Sequence, residues 1–321
     1  MKKTLGAAGW LILFAAIGAA TMLVLAEVLL PHHRIGRSFI PGLAATGALP
    51  GILAWLIALC FAALPGARRP PGATPHFGLA QGLWGMAGTL LLMLCGAFLP
   101  YMAAVYLMLT RILRHLPSHM PDMHDTGLLI TSLLASELLA ALWLAWYVRR
   151  QGRLVLADGS ASGIAWRPAP PQAYGMAALG TLAVLLLAAG EFILIPPDLS
   201  KLHDLELAQL FQGPAAVALL AAVVVIIMAP IIEEVLFRGL AFAGIASRLG
   251  PVWATAITTI IFTALHAPEK ILYWPGFFDV AAVALLSCAL RLRYRSIRPG
   301  IAMHFFYNFG MILVPALSGA H

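Results

Sequence analysis

Apolar stretches long enough to cross a bilayer as helices recur along this chain, and they constrain its fold more than any other feature. A helix needs about 20 apolar residues to span the hydrocarbon core. The chain has 321 residues, of which 61% are hydrophobic and 10% are charged, against roughly 25% charged residues in soluble domains. The sequence therefore predicts an all-α polytopic membrane helix bundle with about nine transmembrane helices, within a range of about eight to ten. The expected spans are residues 5–30, 41–64, 79–113, 127–148, 174–195, 214–249, 251–271, 277–292 and 299–317.

The charge distribution predicts the orientation of these spans. The net charge of +7 is spread over the connections and not gathered on one folded face, which argues against a nucleic-acid partner. Basic residues mark cytoplasmic loops, and most of them fall at every second connection, whereas Asp198, Asp204 and Glu206 fall on the opposite side. We therefore expect a multi-pass protein of the cell (inner) membrane, embedded in the lipid bilayer with its N-terminus in the cytoplasm.

A polar, Gly/Pro-rich stretch divides the chain. We expect residues 1–150 to form N-terminal accessory transmembrane helices, 151–172 a cytoplasmic linker, and 173–321 the functional core.

Two adjacent acids, Glu233 and Glu234, follow the apolar run at 214–232. A carboxylate at membrane depth costs a few kcal/mol, so an acidic pair there indicates a functional site. Of the ten histidines, only His266 and His304 lie within predicted spans. Their depth adds to the evidence for a site.

The spacing around Gly250-Pro251 places one acid and one histidine at the same level. Glycine favours the end of a helix and proline the start of the next, so this dipeptide predicts a turn. Glu233 lies 15 residues before Arg248, and His266 lies 15 residues after Pro251. At 1.5 Å per residue both are about 22 Å from the turn. His304 and Asn308 enter from the same side and need a tilted or kinked helix to reach that level.

Helical spacing then sorts the polar residues by face. Glu234 and Arg238 are four residues apart and share a face, whereas Glu233 is rotated by about 100°. The simplest interpretation makes Glu234 and Arg238 a structural pair and leaves Glu233 facing a cavity. Phe262 and His266 form a second such pair.

His304 and Asn308 form a third pair at the same spacing. A carboxylate in low-dielectric surroundings is a competent general base, a histidine can relay its proton, and an asparagine amide can donate to an oxyanion. This combination suits the hydrolysis of an amide by an activated water.

Three motifs at these positions resemble those of a known family. They are Glu-Glu-x-x-x-Arg at 233–238, Phe-x-x-x-His at 262–266 and His-x-x-x-Asn at 304–308. In this order they resemble the CAAX proteases and bacteriocin-processing enzymes, the CPBP or Abi family of intramembrane proteases. The resemblance covers roughly residues 173–321. It implies an endopeptidase of protein processing that acts on a membrane-associated protein or peptide.

The resemblance also implies roles for individual residues. Glu233 and His266 would activate the water, and His304 and Asn308 would bind the oxyanion. The site would be supported by Glu234, Arg238 and Phe262.

The family has been described both as metalloproteases and as glutamate-dependent proteases. We favour a site without a metal or other cofactor, because the fixed charge of Arg238 disfavours a nearby dication. The alternative is a zinc ion bound by Glu233, His266 and His304.

Two other functions remain open. An ion-coupled transporter also uses intramembrane acids, and Glu137 lies within the predicted span 127–148. A hydrogen bond to Ser132, Ser136 or a neighbouring helix explains Glu137 more simply, and the inverted halves typical of transporters are not evident. A non-catalytic membrane scaffold or self-immunity protein is the third possibility, and the intact motifs argue against it.

Overall fold

The regular structure of this chain is helical throughout its described part. The computed structural model describes residues 77–116, 118–119, 122, 125–151, 163–198 and 206–318. The helices there are α1 (Leu79–Leu113), α2 (Thr126–Gln151), α3 (Pro171–Leu194), α4 (Glu206–Gln212), α5 (Ala215–Val223), α6 (Ala229–Glu233), α7 (Phe242–Leu265), α8 (Ala267–Lys270), α9 (Gly276–Tyr294) and α10 (Arg298–Ser318). Two π-helical segments, Val224–Met228 and Glu234–Ala241, join α5 to α6 and α6 to α7. The all-α class is confirmed for these residues.

Four stretches of the described residues are long and apolar enough to cross a membrane. They are Leu79–Leu113, Thr126–Gln151, Pro171–Leu194 and Ala215–Leu265. The predicted spans 5–30 and 41–64 lie outside the described residues. The expected number of about nine helices therefore stays a prediction.

The chain reverses direction at Gly250, as its glycine-proline dipeptide predicted. Gly250 has φ 82° inside α7, a conformation that glycine adopts without strain. The rings of Phe237 and Phe262 lie 5.2 Å apart, although a straight helix would separate them by about 37 Å. The two arms therefore form an antiparallel hairpin, which brings the first two motifs together.

Helices α1 and α2 share one apolar core with this hairpin. A Cβ on Gly82 of α1 would lie 2.7 Å from the Cα of Gly244 of α7, so the two backbones touch. The common core includes Ala87, Ala140, Leu144, Ile232, Leu236, Leu240 and Phe262. Although the accessory-and-core division remains a prediction, α1 and α2 are structurally continuous with the motif-bearing helices.

The described end of the predicted linker is bound to the turn between α9 and α10. The Ile297 amide donates to the Ala165 carbonyl at 3.0 Å, and the Ser296 hydroxyl donates to the Arg167 carbonyl at 2.6 Å. Residues 163–170 thus lie against the end of the bundle from which α10 begins.

A second apolar cluster fixes α10 against α3 and α9. It contains Ala177, Val184, Val283, Leu290, Met303 and Tyr307. The Thr181 hydroxyl of α3 lies 3.2 Å from the Met303 carbonyl. Since His304 follows Met303 directly, this packing sets where the third motif stands.

Candidate active site

The first motif lies where α6 changes into a π-helical segment. Glu233 ends α6 and Glu234 begins the segment, and such local π turns occur often at functional sites. The Glu234 side chain is fully buried, whereas 18% of the Glu233 side chain is exposed. The two acids therefore have different environments despite being adjacent.

Glu234 and Arg238 form a buried ion pair. Arg238 Nη1 lies 3.2 Å from Glu234 Oε1, and both side chains are sealed from solvent. The guanidinium carbon lies 4.3 Å from the centre of the Phe262 ring, within the range of a cation–π contact. The carboxylate on one side and the ring on the other compensate the buried charge.

His304 of α10 lies between the two acids. Its Nε2 is 3.7 Å from Glu233 Oε2, and its Nδ1 is 3.4 Å from Glu234 Oε1. Helix α10 therefore reaches the level of the acid pair. The distance of 3.7 Å is longer than a hydrogen bond, so Nε2 is not committed to Glu233.

The formal charges of the two acids, Arg238 and His304 can sum to zero. Glu233 and Glu234 supply two negative charges when ionised, and Arg238 supplies one positive charge. A doubly protonated His304 brings the sum to zero, and a neutral His304 leaves one negative charge in the site.

His266 is oriented by its own helix. Its Nδ1 lies 2.8 Å from the Phe262 carbonyl oxygen. Because a carbonyl only accepts, Nδ1 carries the proton, and Nε2 of the neutral ring is left as an acceptor. The Phe262 ring centre lies 4.6 Å from that of His266 and 5.9 Å from that of His304. Phe262 thus contacts both imidazoles.

Asn308 binds the backbone of the first π-helical segment. Its Nδ2 donates to the Val225 carbonyl at 2.8 Å. The Ala229 amide is bound to the Val224 carbonyl, and the next residue, Pro230, has no N–H to offer. Asn308 therefore supplies the donor that the helix lacks at Val225. One N–H of its amide remains for another acceptor.

Gly300 and Ser287 also lie at the site, although sequence reasoning did not place them there. A Cβ on Gly300 would lie 3.0 Å from Glu234 Oε2 and 3.3 Å from Ser287 Oγ. The missing side chain lets α10 approach Glu234 closely. No spacing between motifs signals this contact, because α9 supplies Ser287.

Arg291 is another residue with an unexpected position. A basic residue near a helix end is typical of a loop at the membrane surface, yet Arg291 is 1% exposed. Its Nε donates to the Arg238 carbonyl, and its Nη2 donates to the Gly163 carbonyl at 2.6 Å. Arg291 thereby ties the second π-helical segment to the linker.

A buried hydrogen bond fixes the rotation of α10. The Tyr307 hydroxyl donates to Asp279 Oδ2 of α9 at 2.7 Å, and the two residues are 6% and 2% exposed. Tyr307 lies between His304 and Asn308 in sequence, so this bond helps to aim both of them.

The described residues contain no group of three or more histidines, cysteines and acids placed to hold a metal ion. Glu233 and His304 contact each other, but His266 does not complete a ligand set with them. The zinc set of Glu233, His266 and His304 therefore stays an alternative.

Comparison with known families agrees with this geometry. Residues 215–310 match the family model described as type II CAAX prenyl endopeptidase Rce1-like. This segment is a CAAX protease domain. All three motifs of the site fall within it, at 233–238, 262–266 and 304–308. No curated protein and no solved structure shows a significant match to the chain.

The match implies a membrane peptidase, and members of the matched family act on membrane-associated peptides or proteins. Helices α1, α2 and α3 lie outside the matched residues. The CAAX protease domain nevertheless shares its core with α1 and α2.

Proposed function

We propose that this protein is an intramembrane endopeptidase that hydrolyses a peptide bond with a water activated by Glu233 and His266. One observation carries the proposal: within the matched family segment, His304 of the third motif lies 3.7 Å from the partly exposed acid Glu233 of the first motif and contacts the Phe262 ring of the second.

Glu233 is the general base. Its neighbour Glu234 is sealed and paired with Arg238, so only Glu233 is accessible to a water. The carboxylate of Glu233 takes one proton from the water, and Nε2 of His266 accepts the second hydrogen bond. This leaves a lone pair of the water directed at the substrate carbonyl carbon.

His304 and Asn308 stabilise the oxyanion that this attack creates. The Nε2 proton of His304 and the free amide proton of Asn308 donate to the negative oxygen of the tetrahedral intermediate. Asn308 is held by Val225, and α10 is held by Asp279. Donors that are fixed before the reaction stabilise such a charge most effectively.

Collapse of the intermediate completes the reaction. The carbon–nitrogen bond breaks, the proton held by Glu233 passes to the leaving amine, and Glu233 returns to its ionised form. The products are a carboxylic acid and an amine, and transfer of the acid's proton to the amine gives a carboxylate and an ammonium group, so that the water is consumed.

The test compares membrane proteomes of a deletion strain that carries either the wild-type protein or Glu233→Gln. A protein cleaved only by the wild type is then assayed with purified enzyme. Loss of a general base lowers the rate by ~10²-fold to 10⁴-fold, and His266→Ala and His304→Ala should also abolish cleavage. Glu269→Gln, an exposed acid nearby, is the matched control. Full cleavage by Glu233→Gln would refute the mechanism.

We further propose that catalysis needs no transition metal. The positive charge of Arg238 lies against Glu234, and Asn308 can supply the oxyanion contact that a zinc ion would otherwise make. Active protein should therefore keep its activity after dialysis against a chelator. Stoichiometric zinc by elemental analysis, with activity lost on chelation and restored by zinc, would instead make Glu233, His266 and His304 metal ligands.

A further inference from the structure

In the second π-helical segment, one backbone amide passes over the carbonyl that an α-helix would give it. Phe242, the first residue of α7, would bond the Arg238 carbonyl in a regular α-helix. Its amide instead bonds the carbonyls of Phe237 and Gly239, since a π turn reaches one residue further back along the chain. Backbone groups at membrane depth need partners within the protein, so the Arg238 carbonyl needs a donor from another element.

Arg291 of α9 supplies that donor. Its Nε donates to the Arg238 carbonyl, and its Nη2 donates to the Gly163 carbonyl at 2.6 Å. The guanidinium carbon also lies 4.3 Å from the centre of the Phe242 ring, within reach of a cation–π contact. Three contacts on different elements therefore fix the direction of the Nε–H bond.

The end of the linker covers the same part of the segment. A Cβ on Gly239 would lie 2.9 Å from Ile164 Cγ2, so the linker rests on the residue that follows Arg238. Ile164 and Ala165 are buried, and the Ala165 carbonyl is bonded to the turn before α10. Protein atoms thus close this side of the π turn.

The first π-helical segment is held in the same way. The Ala229 amide bonds the Val224 carbonyl and passes over that of Val225, and the Asn308 side chain donates to Val225 at 2.8 Å. A side chain from a helix distant in sequence therefore closes each π turn. One bond stands before α6 and the other after it, and Glu233 lies between them.

The π turn at Arg238 sets the direction in which the acid pair points. A π turn contains about one residue more than an α turn, and one residue corresponds to about 100° of rotation. If the second segment relaxed to an α-helix, Glu233 would turn by about this angle relative to α7, which leads to His266. The two groups that activate the water would then no longer face each other.

We infer that Arg291 is a positioning residue for the general base, because its bond to the Arg238 carbonyl stabilises the π turn that directs Glu233 towards the attacking water. Arg291 acts through the backbone of the segment and takes no part in the proton transfers. The inference rests on the proposed role of Glu233, and it concerns a residue outside the three motifs.

Two substitutions of equal length isolate this bond. Arg291→Gln places an amide nitrogen where Nε stood, whereas Arg291→Met places a methyl group there. Both remove the charge and the bond to Gly163, so they differ in the donor to Arg238. Arg291→Met should lower kcat by about 10-fold to 10²-fold, because a misplaced reacting group costs this much, with KM nearly unchanged. Arg291→Gln should recover most of this loss.

Arg293→Gln and Arg293→Met are the matched controls, made at an exposed arginine of the same helix, and both should leave kcat unchanged. Equal losses in Arg291→Gln and Arg291→Met, or full activity of Arg291→Met, overturn the inference. If Arg291→Met does not fold, Arg291→Lys replaces it, since lysine keeps the charge but has a methylene group where Nε stood. Arg291→Lys should then cleave more slowly than Arg291→Gln, and the reverse order overturns the inference.

Nuclear magnetic resonance tests the bond without a cleavage assay. Arg238 and Gly239 form the only arginine–glycine dipeptide in the chain. Labelling with ¹³C-carbonyl arginine and ¹⁵N-glycine therefore selects the Arg238 carbonyl in the purified full-length protein in detergent. A carbonyl carbon that loses a hydrogen bond moves upfield, so its signal should move upfield in Arg291→Met and return towards the wild-type position in Arg291→Gln. An unmoved signal in Arg291→Met overturns the inference. The expected shifts in a protein that cleaves nothing would instead refute the proposed function and leave the bond established.

Discussion

At the scale of single residues, Arg238 is the charge on which the site depends. Arg238→Ala leaves Glu234 buried without its cation, and breaking such a pair costs about 3–5 kcal/mol. We expect a correspondingly lower thermal unfolding temperature in detergent. Arg293→Ala, an exposed arginine, should change stability by less than about 0.5 kcal/mol. Wild-type stability of Arg238→Ala would contradict the structural role of the pair.

The bond between Tyr307 and Asp279 makes a second prediction. Tyr307→Phe leaves a buried carboxylate oxygen without its donor, which costs about 1–3 kcal/mol. It should also lower kcat, because α10 carries His304 and Asn308. A double-mutant cycle with Asp279→Leu measures the coupling, and additive losses would show that the two side chains do not act together.

At the scale of helices, the close contact of α10 with the acid pair depends on Gly300. Gly300→Ala places a methyl group 3.0 Å from Glu234 Oε2, so the helix or the carboxylate must move. We expect a loss of about 1–3 kcal/mol in stability and reduced cleavage. Gly175→Ala in α3 faces open space and should be neutral or stabilising by up to about 1 kcal/mol. Similar effects at both glycines would contradict the close approach.

At the scale of the whole molecule, the matched segment shares its apolar core with α1 and α2. Ala87, Ala140 and Leu144 of α1 and α2 pack with Leu236 and Phe262. A fragment of residues 163–321 should therefore insert but remain inactive, and co-expression with residues 1–151 should restore cleavage. Wild-type activity of the fragment alone would show that α1 and α2 are dispensable.

The orientation in the membrane is tested by thiol labelling. In a variant whose three cysteines are replaced by alanine, Ser200→Cys should react with a membrane-impermeant reagent in intact cells. Ser160→Cys should react only after lysis, because basic loops remain in the cytoplasm. Labelling of Ser160→Cys in intact cells would reverse the predicted orientation.

The local geometry of each helix is predictable from the amino-acid sequence alone. Helix length follows from apolar length, the reversal at Gly250 follows from a glycine-proline dipeptide, and the Glu234–Arg238 contact follows from a spacing of four residues. Each depends on residues close together in the chain, so the rise and periodicity of one helix suffice to predict it. For the same reason, the sequence predicted that the first two motifs lie at similar distances from the turn at Gly250.

Contacts between side chains of different helices were not predictable in this way. His304 between the two acids, Asn308 on Val225 and Arg291 on Gly163 all join elements far apart in sequence. Such contacts depend on how each helix is rotated and how closely its neighbours approach. Packing at small residues such as Gly82 and Gly300 sets both quantities, and no periodicity along a single helix encodes them.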